Sequence, residues 1–418
     1  MPRRRRVLAT VAGMAGLSGC ADLLGRGSRS PTETAPEPGT GTRSPTGTAT
    51  EPSPTPEPFE GRWPMFGGGA RNAGVAAADG PRDPEVAWRF ETPTRMTTDP
   101  VVGDGTVVVG TIGDSPTSTA NGEDFNDPAL YGVSAADGSE RFRFDLPSRP
   151  NGTPALHGGH VFVETEDDGI YALDATDGGF AWSRSTEATF RAGDVTVFEG
   201  TVYVADGGDV VGRDPVTGGV RTRIEVDRSL AQPFGVADGV LYVAWDRHEG
   251  GGDRSGGLDA VALDGERLWH VESGFPTGGP AVGDGTVVWT TTTAAHAHDA
   301  TTGKKRWQFE PARGTGSPAI ADGVAYLGSR ETSFHALDVS SGEPAWSVET
   351  TSRPSVAPIA AGSAVYYGSG AHRVYARDTA TGEKLWYRGI GWLPSDPALA
   401  GGTVFVTGKT ELVALRDS

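Results

Sequence analysis

Cysteine occurs once in these 418 residues, at Cys20. No disulfide can form within one chain, so the fold must hold without covalent cross-links. Lysine is nearly as scarce: of 36 basic residues, only Lys304, Lys305, Lys384 and Lys409 are lysines. The net charge of −18 argues against nucleic acid as a partner, because phosphate binding needs a basic surface. Long hydrophobic runs are missing as well. The apolar stretch Val7 to Gly19 has 13 residues, too few to cross a bilayer as a helix. There is also no P-loop, no Gly-x-Ser-x-Gly nucleophile elbow with partners in sight and no Cys/His set spaced for zinc, so three common chemistries lack their motifs.

What is present begins with an address. Arg3 to Arg6 form a basic region of twin-arginine character ahead of the apolar stretch, and residues 1–19 read as a signal peptide for Tat-type export. Leu17-Ser18-Gly19-Cys20 reads as a lipobox, which makes Cys20 the lipidated first residue of the exported chain. Residues 20–58 are expected to be a disordered tether. From Gly25 to Pro58 there is no aromatic residue, while Pro and Thr occur eight times each, and such a segment cannot bury a core. Residues 59–84, with Trp63-Pro64-Met65-Phe66-Gly67, form an N-terminal extension expected to pack across the bottom or side of the domain that follows. The expected location is the extracellular side of the cell membrane, touched only through the lipid. Without the four signal arginines the charge becomes −22. This acidic, lysine-poor, threonine-rich composition resembles that of haloarchaeal proteins, where salt screens the self-repulsion.

From residue 85 onward the chain repeats itself. A segment of the form Ala-x-Asp-x-x-x-Gly-x-x-x-Trp occurs at Ala172 to Trp182, Ala297 to Trp307, Ala336 to Trp346 and Ala376 to Trp386. Degenerate copies lie at Gly132 to Phe142, Gly212 to Thr222 and, two residues shorter, Ala260 to Trp269. Turn glycines followed by strand-like runs recur at Gly105, Gly159, Gly200, Gly239, Gly285, Gly323, Gly362 and Gly402, spaced 38 to 54 residues apart. A period near 40 with several short strands per repeat is the signature of a propeller blade. The last repeat stops at Ser418 before its fourth strand, and Glu85 to Phe90 looks like an orphan fourth strand carrying Trp88. Joining the two leaves no open edge. The sequence therefore predicts an all-β, eight-bladed propeller of four-stranded antiparallel blades over residues 85–418. Trp88, Phe142, Trp182, Trp269, Trp307, Trp346 and Trp386 are expected to dock blade on blade.

These repeats resemble those of the quinoprotein-type (PQQ-like) β-propeller family, which includes barrel-assembly lipoproteins of the BamB type as well as alcohol and sugar dehydrogenases. For the dehydrogenases the resemblance implies a calcium ion and a quinone on the axis, with an Asp base, Glu and Asn ligands and often a vicinal disulfide. A single cysteine excludes that disulfide. No clustered carboxylate and amide set stands at positions approaching the axis; Asp99, Asp194 and Asp396, each just before an innermost strand, are the remaining candidates. No cofactor and no metal are expected, with PQQ and calcium as the alternative. His296 and His298 share one face of a strand, a spacing that fits a metal pair. Yet His296 and His335 stand where other repeats have Tyr171 and Tyr375, which favours a structural role.

The loops between blades carry a different pattern. Arg95, Arg149, Arg228, Phe275, Arg313, Arg353 and Trp392 each lie five residues before a Pro, and Phe190 with Arg191 takes that place in the third repeat. Ring geometry would set these side chains around one face. Guanidinium matches carboxylate or phosphate, and Arg and aromatics dominate binding hot spots. Two insertions, 112–128 and 246–257, interrupt repeats between their second and third strands and would overhang the same face as exposed loops. The expected function is a lipid-anchored binding or scaffold module for a protein partner or an anionic ligand. A PQQ-dependent oxidoreductase is the alternative, and a carbohydrate-binding surface protein a third reading.

Overall fold

Each part of the recurring motif has a mechanical task. The alanine faces the tryptophan across a strand pair, as Ala336 faces Trp346, Ala172 faces Trp182, Ala297 faces Trp307 and Ala376 faces Trp386. A larger residue would collide with the indole. The aspartate closes the turn: Asp338 Oδ1 accepts the N–H groups of Ser340 and Ser341 at 2.9 and 2.8 Å. The Ser340 hydroxyl and these amides hold its carboxyl below the usual carboxylate range. The glycine adopts a positive φ, +75° at Gly342, which L side chains rarely take. A Cβ there would also sit 2.6 Å from Trp307 of the preceding blade.

Each tryptophan therefore seats on the glycine turn of the next blade. Its Nε1–H donates to a carbonyl of that turn: Trp307 to Val339 at 2.7 Å, Trp346 to Thr379 at 2.8 Å, Trp182 to Pro215 at 2.9 Å, Trp269 to Ala300 at 2.9 Å and Trp88 to Ala135 at 3.1 Å. Phe142 has no N–H and packs on Gly178 by its ring alone.

These units assemble, in a computed structural model, into eight four-stranded antiparallel sheets arranged as a β-propeller. The structure describes residues 59–113, 127–166, 169–186, 193–226, 228–248, 254–314, 316–354 and 357–418. The signal, lipobox and tether expected over 1–58, Cys20 included, lie outside them. Blade 1 runs outward from the axis as Val101–Gly103, Thr106–Thr111, Ala129–Ser134 and Glu140–Asp145. Blades 2 to 7 follow in chain order, with innermost strands starting at Ala155, Thr196, Ser229, Ala281, Ala319 and Ile359.

Blade 8 has three strands from the C-terminal end, Ala398–Ala400, Thr403–Thr407 and Glu411–Arg416, and takes its outermost strand, Glu85–Glu91, from the other end. Trp88 faces Ala414 as in the intact motifs. The seating turn for Trp386 is likewise shared between the chain ends. Its Nε1–H donates to Pro81 O at 2.9 Å, and Asp417 accepts the N–H groups of Arg82 and Asp83.

Two features were not fully legible in the sequence. The 246–257 insertion is not simply a loop: Val240–His248 and Arg254–Ala262 are nine-residue strands, so the insertion lengthens the blade 4 hairpin. Ser229–Ala237 extends beside them, pairing Ser229 with Asp246, and the buried Trp245 and Leu258 anchor the added ladder. Of the 112–128 insertion, residues 114–126 fall outside the described residues.

The second feature is the extension at 59–84, which closes one end of the axial channel. Trp63 exchanges backbone hydrogen bonds with Val102 of blade 1. Carbonyls of Pro64, Ala70, Arg71, Ala73 and Gly74 then accept N–H groups of Leu156, Val236, Val282, Ile320 and Ala360, from the innermost strands of blades 2, 4, 5, 6 and 7. Asn72, buried and at φ +49°, donates from Nδ2 to Phe234 O at 2.9 Å. This plug lies at the end where first strands turn into second strands. The inter-blade loops occupy the opposite, open face.

Candidate functional site

The inter-blade positions are geometrically equivalent. Carbonyls of Arg95, Arg149, Phe275, Arg313 and Arg353 accept N–H groups of Ile112, Glu166, Thr292, Arg330 and Gly370, each just past the end of a second strand. One repeated bond thus sets five of the eight positions on the open face. Arg228 stands beside the same strand end in blade 4, preceding the Ser229–Asp246 pair, and Trp392 beside that of blade 8, next to Gly408. Arg191 and Phe190 lie outside the described residues.

The side chains at these positions are not alike. Arg149 Nε pairs with Glu166 at 2.5 Å and Arg313 Nε with Glu331 at 3.4 Å. Arg228 lies 4.4 Å from the centroid of the buried Trp245 ring. Phe275 is buried and offers little to a partner. Arg95 and Arg353 are exposed and have no ion-pair partner among the described residues. Trp392 is 44% exposed, stacked against His372 at 5.9 Å.

At the floor of the open face, where the loops enter the innermost strands, Asp99, Asp194 and Asp396 link consecutive blades. Asp99 accepts the Asp396 N–H at 2.9 Å and the Thr153 hydroxyl at 3.0 Å. Asp194 accepts the Thr153 N–H, and Asp396 the Ala357 N–H, both at 2.7 Å. The chain of bonds runs through blades 7, 8, 1, 2 and 3. The plug lies directly beneath, with Phe66 and Asn72 bordering the same small void as Asp99, Thr153 and Asp396.

Burial and the charge of Asp194 push Asp99 up to about 7. Burial raises Asp194, and burial with the Asp99 charge raises Asp396 well above its ordinary value. Glu164 of blade 2 is a related misfit. Burial pushes it up to about 8, and its Oε2 lacks a hydrogen-bond partner among the described residues.

A pH dependence follows. A carboxyl whose folded pKa lies above its unfolded value binds more protons when folded, so this group's contribution to stability falls as pH rises from about 4 to about 7. Asp99→Asn keeps an acceptor for the Asp396 N–H and removes the titration. It should melt above the parent at pH 8 and show a flatter melting profile between pH 5 and 8 at fixed salt. Parallel profiles would show that Asp99 does not titrate in this window.

The histidine pair has no lone pairs to spare at His296, whose Nδ1 meets the Ser273 hydroxyl at 3.2 Å and Nε2 the Thr291 hydroxyl at 3.1 Å. His298 Nδ1 accepts from Trp289 Nε1 at 3.3 Å. His335 likewise engages Ser333 and Ser347. Burial lowers all three to about 4, and Lys305 adds to this at His296 and His298. They are neutral structural rings.

A family model described as outer membrane protein assembly factor BamB matches residues 71–246 and 254–418. The chain belongs to that BamB family. Among solved structures it is similar to BamB from Moraxella catarrhalis, with 13% identity, a TM-score of 0.59 and coverage of 80% of this chain and 98% of that one. A europium-containing methanol dehydrogenase gives 13% identity and a TM-score of 0.65 over 85% and 98% of the two chains. The computationally designed Ika8 protein gives 12% identity and a TM-score of 0.66 over 80% and 100% of the two chains. Likeness at these identities concerns the fold. No curated protein sequence matches significantly.

The dehydrogenase branch of this fold implies calcium and a quinone. The axial carboxylates do not fit them, because Asp99, Asp194 and Asp396 spend oxygens on neighbouring blades and are pushed towards their neutral forms, whereas calcium takes six to eight oxygens, chiefly ionised ones. Thr153, Gly279, Ser317 and Ala357 occupy other positions of the same ring. Among the described residues no group of three or more His, Cys, Asp or Glu side chains converges to hold a metal ion.

Proposed function

We propose that this BamB-family chain is a lipid-anchored binding or scaffold module on the extracellular side of the membrane, and that it holds a protein partner or an anionic ligand on its open, arginine-bearing face. The observation that supports this reading most directly is the repeated backbone bond placing Arg95, Arg149, Arg313 and Arg353 on one face. The family's description as an assembly factor points the same way, as does an axial channel closed by the chain's own backbone.

The test is affinity capture from native membranes. Replacing Arg95, Arg149, Arg313 and Arg353 by Glu should abolish recovery of the partner while the melting temperature stays within a few degrees, since exposed side chains contribute little to the core. Lys304→Glu with Lys305→Glu, on the plugged face, should change nothing. Capture that survives the first variant and fails with the second would place the functional surface on the other end. Quinone absorbance with dye-linked dehydrogenase activity would replace the binding reading with an oxidoreductase.

Anchoring has its own check. Cys20→Ser should release the protein from the membrane fraction or leave an uncleaved precursor. A correctly cleaved variant still held in the membrane would rule out lipid attachment at this residue.

A further inference from the structure

The open face is uneven in charge. Around blades 2 and 6 the inter-blade guanidiniums are neutralised, Arg149 by Glu166 and Arg313 by Glu331. Blade 4 spends Arg228 on Trp245. From blade 7 to blade 1 no carboxylate neutralises the cations: Arg353, Lys409 and Arg95 have no ion-pair partner among the described residues, and Lys409 lies over the exposed Trp392 ring. Glu411, the nearby acid, is already taken by Arg89 at 2.6 Å, which leaves Glu91 at the outer edge.

The same sector carries exposed apolar surface. Trp392 and Leu393 are 44% and 46% exposed, the only large hydrophobic side chains so exposed among the inter-blade loops of the described residues. Lys409 Nζ lies 5.4 Å from the Trp392 ring centroid and His372 stacks on it. Beside them a crevice of about 250 Å³ opens between blades 8 and 1, bordered by Arg95, Thr97, Thr98, Asp99, Trp392 and Leu393. An aromatic platform, an apolar neighbour and unpaired cations are the composition of a binding hot spot, in which charge selects the partner and buried apolar area holds it.

We infer that the Arg353–Trp392–Lys409–Arg95 sector is the docking site of the open face and that its occupant is an acidic peptide segment carrying one apolar anchor side chain. This rests on the open-face reading above and narrows it to one third of the ring. Charge complementarity favours an acidic peptide over a neutral sugar: the rim offers cations that no carboxylate among the described residues neutralises, and its floor carboxylate, Asp99, is occupied by Asp396 N–H and the Thr153 hydroxyl.

The test uses the full ordered domain with its extension and fluorescence anisotropy of a short labelled peptide of glutamates around a single leucine. Binding should weaken about tenfold or more in Trp392→Ala and in the pair Arg95→Glu with Lys409→Glu, and also when the peptide's leucine becomes alanine or its glutamates become glutamines. Arg330→Glu, which reverses an exposed cation of the blade 6 rim outside the sector, should leave it within about twofold. Melting curves verify that each variant is folded. An equal loss in Arg330→Glu would overturn the sector while leaving the open-face reading intact. No binding of the peptide by the unaltered protein, or binding of a neutral oligosaccharide at Trp392 in its place, would overturn the proposed ligand chemistry, even if collar-dependent capture from membranes persists.

Discussion

Removing residues 85–91 should lower the melting temperature by at least about 10 °C or prevent folding, whereas removing residues 25–58 should leave it within about 2 °C. The short strand Glu85–Glu91 is the outer quarter of blade 8 and the clasp of the ring. Its loss strips the outer edge from Glu411–Arg416, where Leu412, Val413, Ala414 and Leu415 are fully buried. It also removes Trp88 from its seat on blade 1, with the bond to Ala135 O. Blade 8 then has a free edge on a buried strand, and blades 8 and 1 lose their shared outer packing. Equal melting temperatures for the two deletions, measured in high salt, would mean that the ring does not depend on this closure.

Trp346→Ala should cost about 3 to 5 kcal/mol. The indole is buried between blades 6 and 7, donates to Thr379 O, and packs beside Tyr326 and Phe334 at ring separations of 6.1 and 6.0 Å. A buried Trp removes about 150 to 250 Å² from water, or about 4 to 6 kcal/mol by area, and little can collapse into the gap because both walls are sheets. Gly382→Ala attacks the same seat from the other side, at φ +72° and with its new Cβ 2.7 Å from the indole; positive-φ strain alone is about 1 to 3 kcal/mol. The double variant should be less destabilised than the sum of the singles, since the clash disappears with the indole. Denaturant unfolding of all four proteins gives the coupling, and strict additivity would show that Trp346 and Gly382 do not share one site.

The blades were legible because every role in the motif is local. Ala336, Asp338, Gly342 and Trp346 lie within one strand, turn and strand, and because each Trp seats on the same turn of the next blade, the requirement repeats along the chain and leaves a repeated pattern. Eight turn glycines counted the blades, and a chain ending one strand short pointed to Glu85–Glu91 as the missing piece. The inter-blade positions were legible for the same reason, as a fixed offset from a Pro.

What these positions do was decided only in three dimensions. Whether a guanidinium is available depends on a carboxylate 17 or 18 positions away, Glu166 for Arg149 and Glu331 for Arg313, and no repeat encodes it. Asp99, Asp194 and Asp396 are separated by up to 297 positions, so their mutual repulsion exists only because the ring brings blade 8 round to blade 1. The plug is harder still to read, since Trp63 to Gly74 contact six blades mostly through backbone carbonyls, and backbone bonds leave no side-chain signature. Sequence by itself determined the blade, its number and its closure, because packing between identical neighbours is a local and repeated demand. Tertiary structure decided which end of the axis is closed and which arginines stay unpaired, because both follow from distances between residues that the repeat does not relate.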